Sequence, residues 1–214
     1  VKDPDFGARL AEVRGRAPAT IFAIDETYMG FTEGSEDDQL LLSLAEEYDN
    51  VVLIRSLSKV EGLAAVRLGW AQSTPNTVRA ISEGLPFAGQ LYISELALAG
   101  ALAALRGPAA PEHRRQVRKF YEEEQQWLRE QLEEIGFETF ASQAPFFVLR
   151  GPADALQAAV KAGAAVQRFD FPGDQGSERR SAVCLVADRA SNETTLRCLV
   201  PEKEEDPLAW AAGM

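Results

Sequence analysis

With 214 residues, 46% hydrophobic and 26% charged, the chain is long enough for one large domain or one and a half ordinary ones, and its composition is globular. A net charge of −11 repels nucleic acid and anionic membrane, so any phosphate bound here must be held by local donors. Cys184 and Cys198 make neither a metal-ligand spacing nor a disulfide framework, and without a secretory leader or an apolar run of about 18 residues the default is a soluble cytoplasmic protein.

The chain opens on Val1, which hints that residue 1 is not the natural start. Phe6, Leu10 and Val13 have helical spacing, and an Arg-rich break follows at 14–18. Residues 19–24 are a short apolar run that stops at Asp25-Glu26 and reads as a strand. Over 38–48 the stripe Leu40, Leu41, Leu44, Ala45, Tyr48 predicts a helix, with Asn50 as its stop. Residues 51–54 form an apolar strand that delivers Arg55-Ser56-Leu57-Ser58-Lys59 at its end. A further strand is expected over 66–71, carrying Arg67, and Thr74-Pro75 caps a helix over 75–83. Strand, helix, strand with uniformly apolar strands implies a parallel sheet covered on both faces, with ligands at the C-terminal strand ends.

Beyond a turn-rich connection at 84–89, residues 91–105 predict an Ala/Leu helix, apolar nearly all round and therefore buried. Pro108 and Pro111 break the chain, and 112–135 predict one long charged helix ended by Gly136. His113, beside Arg114 and Arg115, reads as a solvated helix residue. The remainder changes style. Strands are expected at 137–140, 146–149, 164–169 and 182–187, with helices over 153–162 and 191–199, giving a small α+β domain. A polar loop at 172–180 and an acidic tail at 201–214 complete the chain.

The chemistry is concentrated between residues 25 and 67. Ser56, Ser58, Lys59 and Arg67 place two hydroxyls, an amine and a guanidinium around one turn, a set of parts for holding a phosphate and forming a Schiff base beside it. Pyridoxal 5'-phosphate asks four things of a protein. Lys59 is the candidate amine, and Arg55 and Arg67 flank it. Ser56, Ser58 and Arg67 are the candidate phosphate donors. Asp25, at a strand end, suits the pyridine nitrogen, and Tyr28, three residues on, suits the ring oxygen. Each element alone has an ordinary reading: a surface lysine, serines capping a turn, Arg67 paired with Glu61, an acid at a sheet rim, a half-buried tyrosine. Their ordered combination is what carries the signal.

That order, Asp-Glu-x-Tyr, then Ser-x-Ser-Lys, then Arg eight residues on, resembles the histidinol-phosphate aminotransferase branch of the class I/II aminotransferases, of the aspartate-aminotransferase fold type. The likeness runs from about residue 4 to 199 and is specific over 19–70. It implies an α/β PLP-dependent transferase fold: a mostly parallel sheet in the second part of a PLP-binding large domain (1–107), a linking helix (108–136), a C-terminal α+β small domain (137–200) and the tail (201–214). It also implies Lys59 as Schiff-base lysine and acid/base, Asp25 as pyridinium partner, Tyr28 as donor to the ring oxygen, and Ser56, Ser58 and Arg67 as phosphate ligands. The substrate would be a small amine or amino acid, and the assembly a homodimer.

Two departures qualify what the resemblance implies. The family has a longer N-terminal part, with a Gly-rich phosphate loop and a ring-stacking aromatic, and residue 1 falls just after it. A partner chain or a dimer mate would then be needed to cover exposed edges. Family members that use α-amino acids also anchor the carboxylate with an arginine on a late strand, where an ungapped match puts Cys184; Arg180 and Arg189 lie close in sequence. Transamination, a decarboxylase-like or other PLP reaction, and an incomplete or non-catalytic subunit all remain open on the sequence.

Overall fold

The computed structural model describes residues 5–32, 39–85, 93–168, 174 and 178–200. Most of the expected connection at 84–89, the start of the helix at 91–105, most of the loop at 172–180 and the tail at 201–214 lie outside these residues. The chain divides into two compact units, Val1–Lys119 and Phe120–Met214.

In the first unit, helix α1 (Phe6–Arg16) is followed by strand β1 (Phe22–Asp25), a 3-10 turn at Met29–Phe31, helix α2 (Gln39–Glu47) and strand β2 (Val51–Ser56). Strands β1 and β2 are parallel, with Phe22 opposite Val51 and Asp25 opposite Ile54. Alternation along the strands puts Phe22, Ile24, Val51 and Leu53 on one face, where Leu10 of α1 and Leu41, Leu44 and Ala45 of α2 close the core. Asn50 ends the α2 connection by donating to the Thr20 carbonyl at 3.1 Å.

Two expectations fail here. The strand expected over 66–71 does not begin at Val66 and does not carry Arg67. Instead Ala64–Val66 is a 3-10 turn, Arg67 sits outside any strand, and β3 (Gly69–Gln72) pairs antiparallel to β2. The reason is the link: residues 57–68 contain no crossover helix, and a parallel return needs one. The sheet is thus mixed, in the order β1-β2-β3, and among the described residues its second face is partly open, with Ala23 exposed and Ile54 38% exposed but Val52 buried.

Thr74 caps helix α3 (Pro75–Gly84), its hydroxyl accepting from the Thr77 amide. Helix α4 (Glu95–Arg106) is the second failed expectation. It is not buried all round, because only Ala97 and Ala101 are covered, while Leu96 is 86% exposed and Leu98, Leu102 and Leu105 are also exposed. An apolar composition marks a helix that can be covered on every side; among the described residues only the Ala97 and Ala101 stripe of this one is covered.

Helix α5 (Ala110–Glu134) belongs to both units and starts at Ala110, so Pro111 lies in its first turn, where a missing N–H costs nothing, and does not break the chain. Exposed His113 brings its Nε2 to 3.1 Å from the Val60 carbonyl, and the Arg118 guanidinium donates to the Gly30 carbonyl.

In the second unit β4 (Glu138–Phe140), β5 (Phe146–Pro152), α6 (Ala153–Lys161), β6 (Val166–Arg168), β7 (Arg179–Leu185) and α7 (Arg189–Leu199) build an antiparallel sheet ordered β4-β5-β7-β6. Its core joins Leu128 and Leu132 of α5, Leu156 and Ala159 of α6 and Leu199 of α7 to Phe147, Leu149, Ala182 and Cys184 on one sheet face. The other face carries Phe146, Val148, Val183 and Leu185.

Candidate active site

The candidate residues hang from the C-terminal ends of β1 and β2, which lie side by side because the strands are parallel and in register. Beyond Ser56 the chain turns tightly. The Ser58 amide donates to Ser56 Oγ at 3.0 Å, the Ser56 hydroxyl donates to Ser58 Oγ at 2.8 Å, and Leu63 N returns to the Leu57 carbonyl. This local bonding, with Leu57 and Val60 buried as anchors, aims the two serines outward.

Ser56, Ser58 and Arg67 line one cavity of about 490 Å³, together with Thr27, Gly69 and Trp70, and with Val52 and Ile54 of the partly open sheet face. Gly69 is needed where β3 closes on β2: a Cβ there would meet the Arg55 carbonyl oxygen at 2.8 Å. Arg67 is held in the left-handed region, φ 56°, with Nη1 donating to the Ala64 carbonyl at 3.1 Å. It does not pair with Glu61, which lies 3.4 Å from Arg114 instead.

Lys59 is exposed, and its Nζ sits 4.7 Å from the centre of the Tyr28 ring, within cation–π range. Asp25 is exposed and accepts from the Thr27 amide at 2.9 Å, which fixes its carboxylate at the rim. The structure therefore gathers Ser56, Ser58 and Arg67 about one cavity and Lys59 about Tyr28. Asp25, Tyr28 and Lys59 do not line that cavity.

One feature of the site went unread in the sequence. Glu26 alternates to the face opposite Asp25, its amide donates to the Ile54 carbonyl at 2.8 Å, and its carboxylate accepts from Arg55 Nε at 2.7 Å. Arg55 is thus neutralised by Glu26 and is not a free cation flanking Lys59. Parallel register alone could have found the pair, since it sets residue 26 beside 55.

The second unit corrects the reading of β7. Cys184 is fully buried in the core, where desolvation pushes its thiol up to about 12, so it does not occupy an outward, ligand-facing position. Val183 and Leu185 face outward. Arg180 donates to the Asp174 carbonyl, and Arg189 is bound side-on by Glu124 at 2.9–3.1 Å and stacked 4.0 Å from the Trp127 ring.

The βαβ unit thus carries a serine-lysine turn and an acid at adjacent strand ends. Residues 9–189 match the family described as Aminotransferase class I and II, and the chain belongs to that family. It is 32% identical over 143 residues to the histidinol-phosphate aminotransferase of Geotalea daltonii, covering 67% of this chain and 38% of that protein. It is also 32% identical over 167 residues to the enzyme of the same description from Acinetobacter baylyi, covering 76% and 44%. The chain therefore spans less than half the length of these curated relatives. In fold it is similar to the histidinol-phosphate aminotransferase of Sinorhizobium meliloti, solved in complex with pyridoxal-5'-phosphate (TM-score 0.69, 21% identity, 88% of this chain, 51% of that one). A decarboxylase from Sulfurospirillum multivorans is similar too (TM-score 0.66, 24% identity, 89% and 55%).

Proposed function

We propose that this chain carries the lysine half of a PLP-dependent site and serves an enzyme that transfers the amino group of a small amine or amino acid. The observation that carries the reading is the convergence of Ser56, Ser58 and Arg67 on one cavity, with Lys59 the next residue along the chain after Ser58. The donor chemistry fits the cofactor. Two hydroxyls and a guanidinium match phosphate oxygens, an exposed amine is free to condense with an aldehyde, and an acid at the rim matches a protonated ring nitrogen.

The bound cofactor supplies an electron sink conjugated to the substrate Cα. The chain supplies the rest. The Ser58 hydroxyl, accepting from Ser56, has its own proton to donate to a phosphate oxygen, and Arg67 adds a charged fork. Asp25 holds a proton on the ring nitrogen, and the Tyr28 hydroxyl donates to the ring oxygen. Lys59 Nζ, once released by the substrate amine, would move a proton between the substrate Cα and the cofactor's C4′. We extend the reading to a cytoplasmic homodimer, or to an assembly with a partner chain that supplies the N-terminal part of the fold.

A second reading, a decarboxylase-like or other non-transaminating PLP reaction, is favoured by the outward positions of β7. The resemblance puts Cys184 where a carboxylate-anchoring arginine is expected, the outward neighbours Val183 and Leu185 are apolar, and Arg180 and Arg189 are engaged elsewhere.

The test is the visible spectrum of the purified chain with PLP, for wild type and Lys59→Ala. A yellow band in wild type that borohydride fixes onto Lys59, absent in the variant, is the expected result. A folded wild-type chain with no band overturns the reading for this segment.

A further inference from the structure

We infer that Glu26 and Arg55 are a positioning pair that selects which of two adjacent acids, Asp25 or Glu26, is presented at the cofactor site. The inference rests on the cofactor reading above.

The pair is buried, with side chains 2% and 20% exposed. Its geometry is a side-on fork with one arm closed. Arg55 Nε donates to Glu26 Oε2, while Arg55 Nη2 and Glu26 Oε1, the atoms of the second arm, are buried without hydrogen-bond partners. A buried ion pair is weak grounds for stability, because desolvating two charges offsets their attraction; fixing a register is its better-attested role.

Register is the vulnerable quantity here. β1 has only four residues, so its hydrophobic pattern rests on just two core-facing side chains, Phe22 and Ile24. A one-residue slip would bring Asp25 beside Arg55 and turn Glu26 toward the partly open face. The site would then lose the Asp25 carboxylate to a salt bridge. Arg55 prevents this because the longer acid reaches it only in the observed register, where the Glu26 amide also holds the Ile54 carbonyl.

Packing across the two loops backs the same register. Gly30, four residues past Glu26, is pressed against the Val60 side chain so closely that a Cβ would overlap it. The loops bearing Tyr28 and Lys59 are thereby held together from both ends.

The test compares wild type, Glu26→Gln and the double variant Glu26→Met/Arg55→Met. Three quantities are read: PLP affinity, the pH midpoint of the Lys59-linked absorption band, and amide exchange at residue 26 in the cofactor-free chain. The apolar double variant removes both charges, so it is expected to regain urea stability lost by Glu26→Gln. Positioning predicts that its PLP affinity nevertheless stays at least about tenfold weaker, its band midpoint stays displaced, and residue-26 exchange stays at least about tenfold faster than wild type. A double variant with wild-type affinity, midpoint and exchange overturns the positioning role and leaves the pair merely structural. A wild-type chain with no band removes the cofactor reading, and this inference falls with it.

Discussion

Replacing Cys184 by arginine, the residue that family resemblance expects on a late strand, should unfold the second unit. Cys184 is 0% exposed and packs among Phe147, Leu149, Leu156 and Val166, so a guanidinium there has no water and no carboxylate in the core cluster to meet it. Burying an unpaired ion costs several kcal/mol even after relaxation, about 4 as a working figure, and overpacking adds about 1–3. Against a domain stability of about 5–15 kcal/mol this removes most of the margin. With an m-value of about 2 kcal/mol per molar urea, the unfolding midpoint should fall by about 2 M or more. Val183→Arg, on the outward face one residue earlier, should move it by less than about 0.5 M. Urea titrations followed by tryptophan fluorescence, with Trp127 in the unit concerned, make the comparison. A Cys184→Arg chain as stable as wild type, with Val183→Arg destabilised, would reverse the assigned faces of β7 and refute the argument.

The same burial raises the Cys184 thiol from 9.0 to about 12, a roughly thousandfold smaller thiolate fraction at pH 8. An aromatic disulfide reagent should therefore find half-buried Cys198 in the native chain and Cys184 only after urea is added; rapid native reaction of both thiols would contradict the packing. Asn192, 1% exposed, accepts from the Ala187 amide and donates to the Ala187 carbonyl and to Glu124, so Asn192→Ala should cost about 2–4 kcal/mol, measured by urea unfolding. Arg189, with help from Asn192, holds the Glu124 carboxyl below its usual 4.5. A depressed folded value means that the stabilisation is complete above pH 4.5 and is lost as pH falls through the lower folded value. Acid titration of Glu124→Gln should lack that part of the pH dependence, and identical acid profiles would show that the pair contributes nothing.

What the sequence disclosed depended on how much a residue's surroundings were local. Residues 51–54 could only be a strand, and the serine-lysine turn after them follows from side chains bonding to nearby backbone. The direction of β3 was hidden, because orientation is decided by the link at 57–68, where no periodicity speaks. The face taken by Cys184 was hidden because Ala182 to Val186 is apolar at every position, and a uniform run carries no alternation to read. Nothing local in the sequence marks Glu26, Glu124 and Asn192 as buried. Their burial follows from partners at 55, 189 and 187, and the first two lie far away in the chain.

The left-handed backbone of Arg67 bears on any attempt to engineer this protein for robustness. A non-glycine residue in that conformation costs about 1–2 kcal/mol that glycine escapes. A selection for thermal tolerance alone should therefore drift toward Arg67→Gly, gaining a firmer chain while erasing one of the two guanidinium groups, Arg55 and Arg67, in the serine-lined cavity. Survivors of such a screen that keep arginine at 67 would mark conditions in which ligand retention outweighs heat resistance.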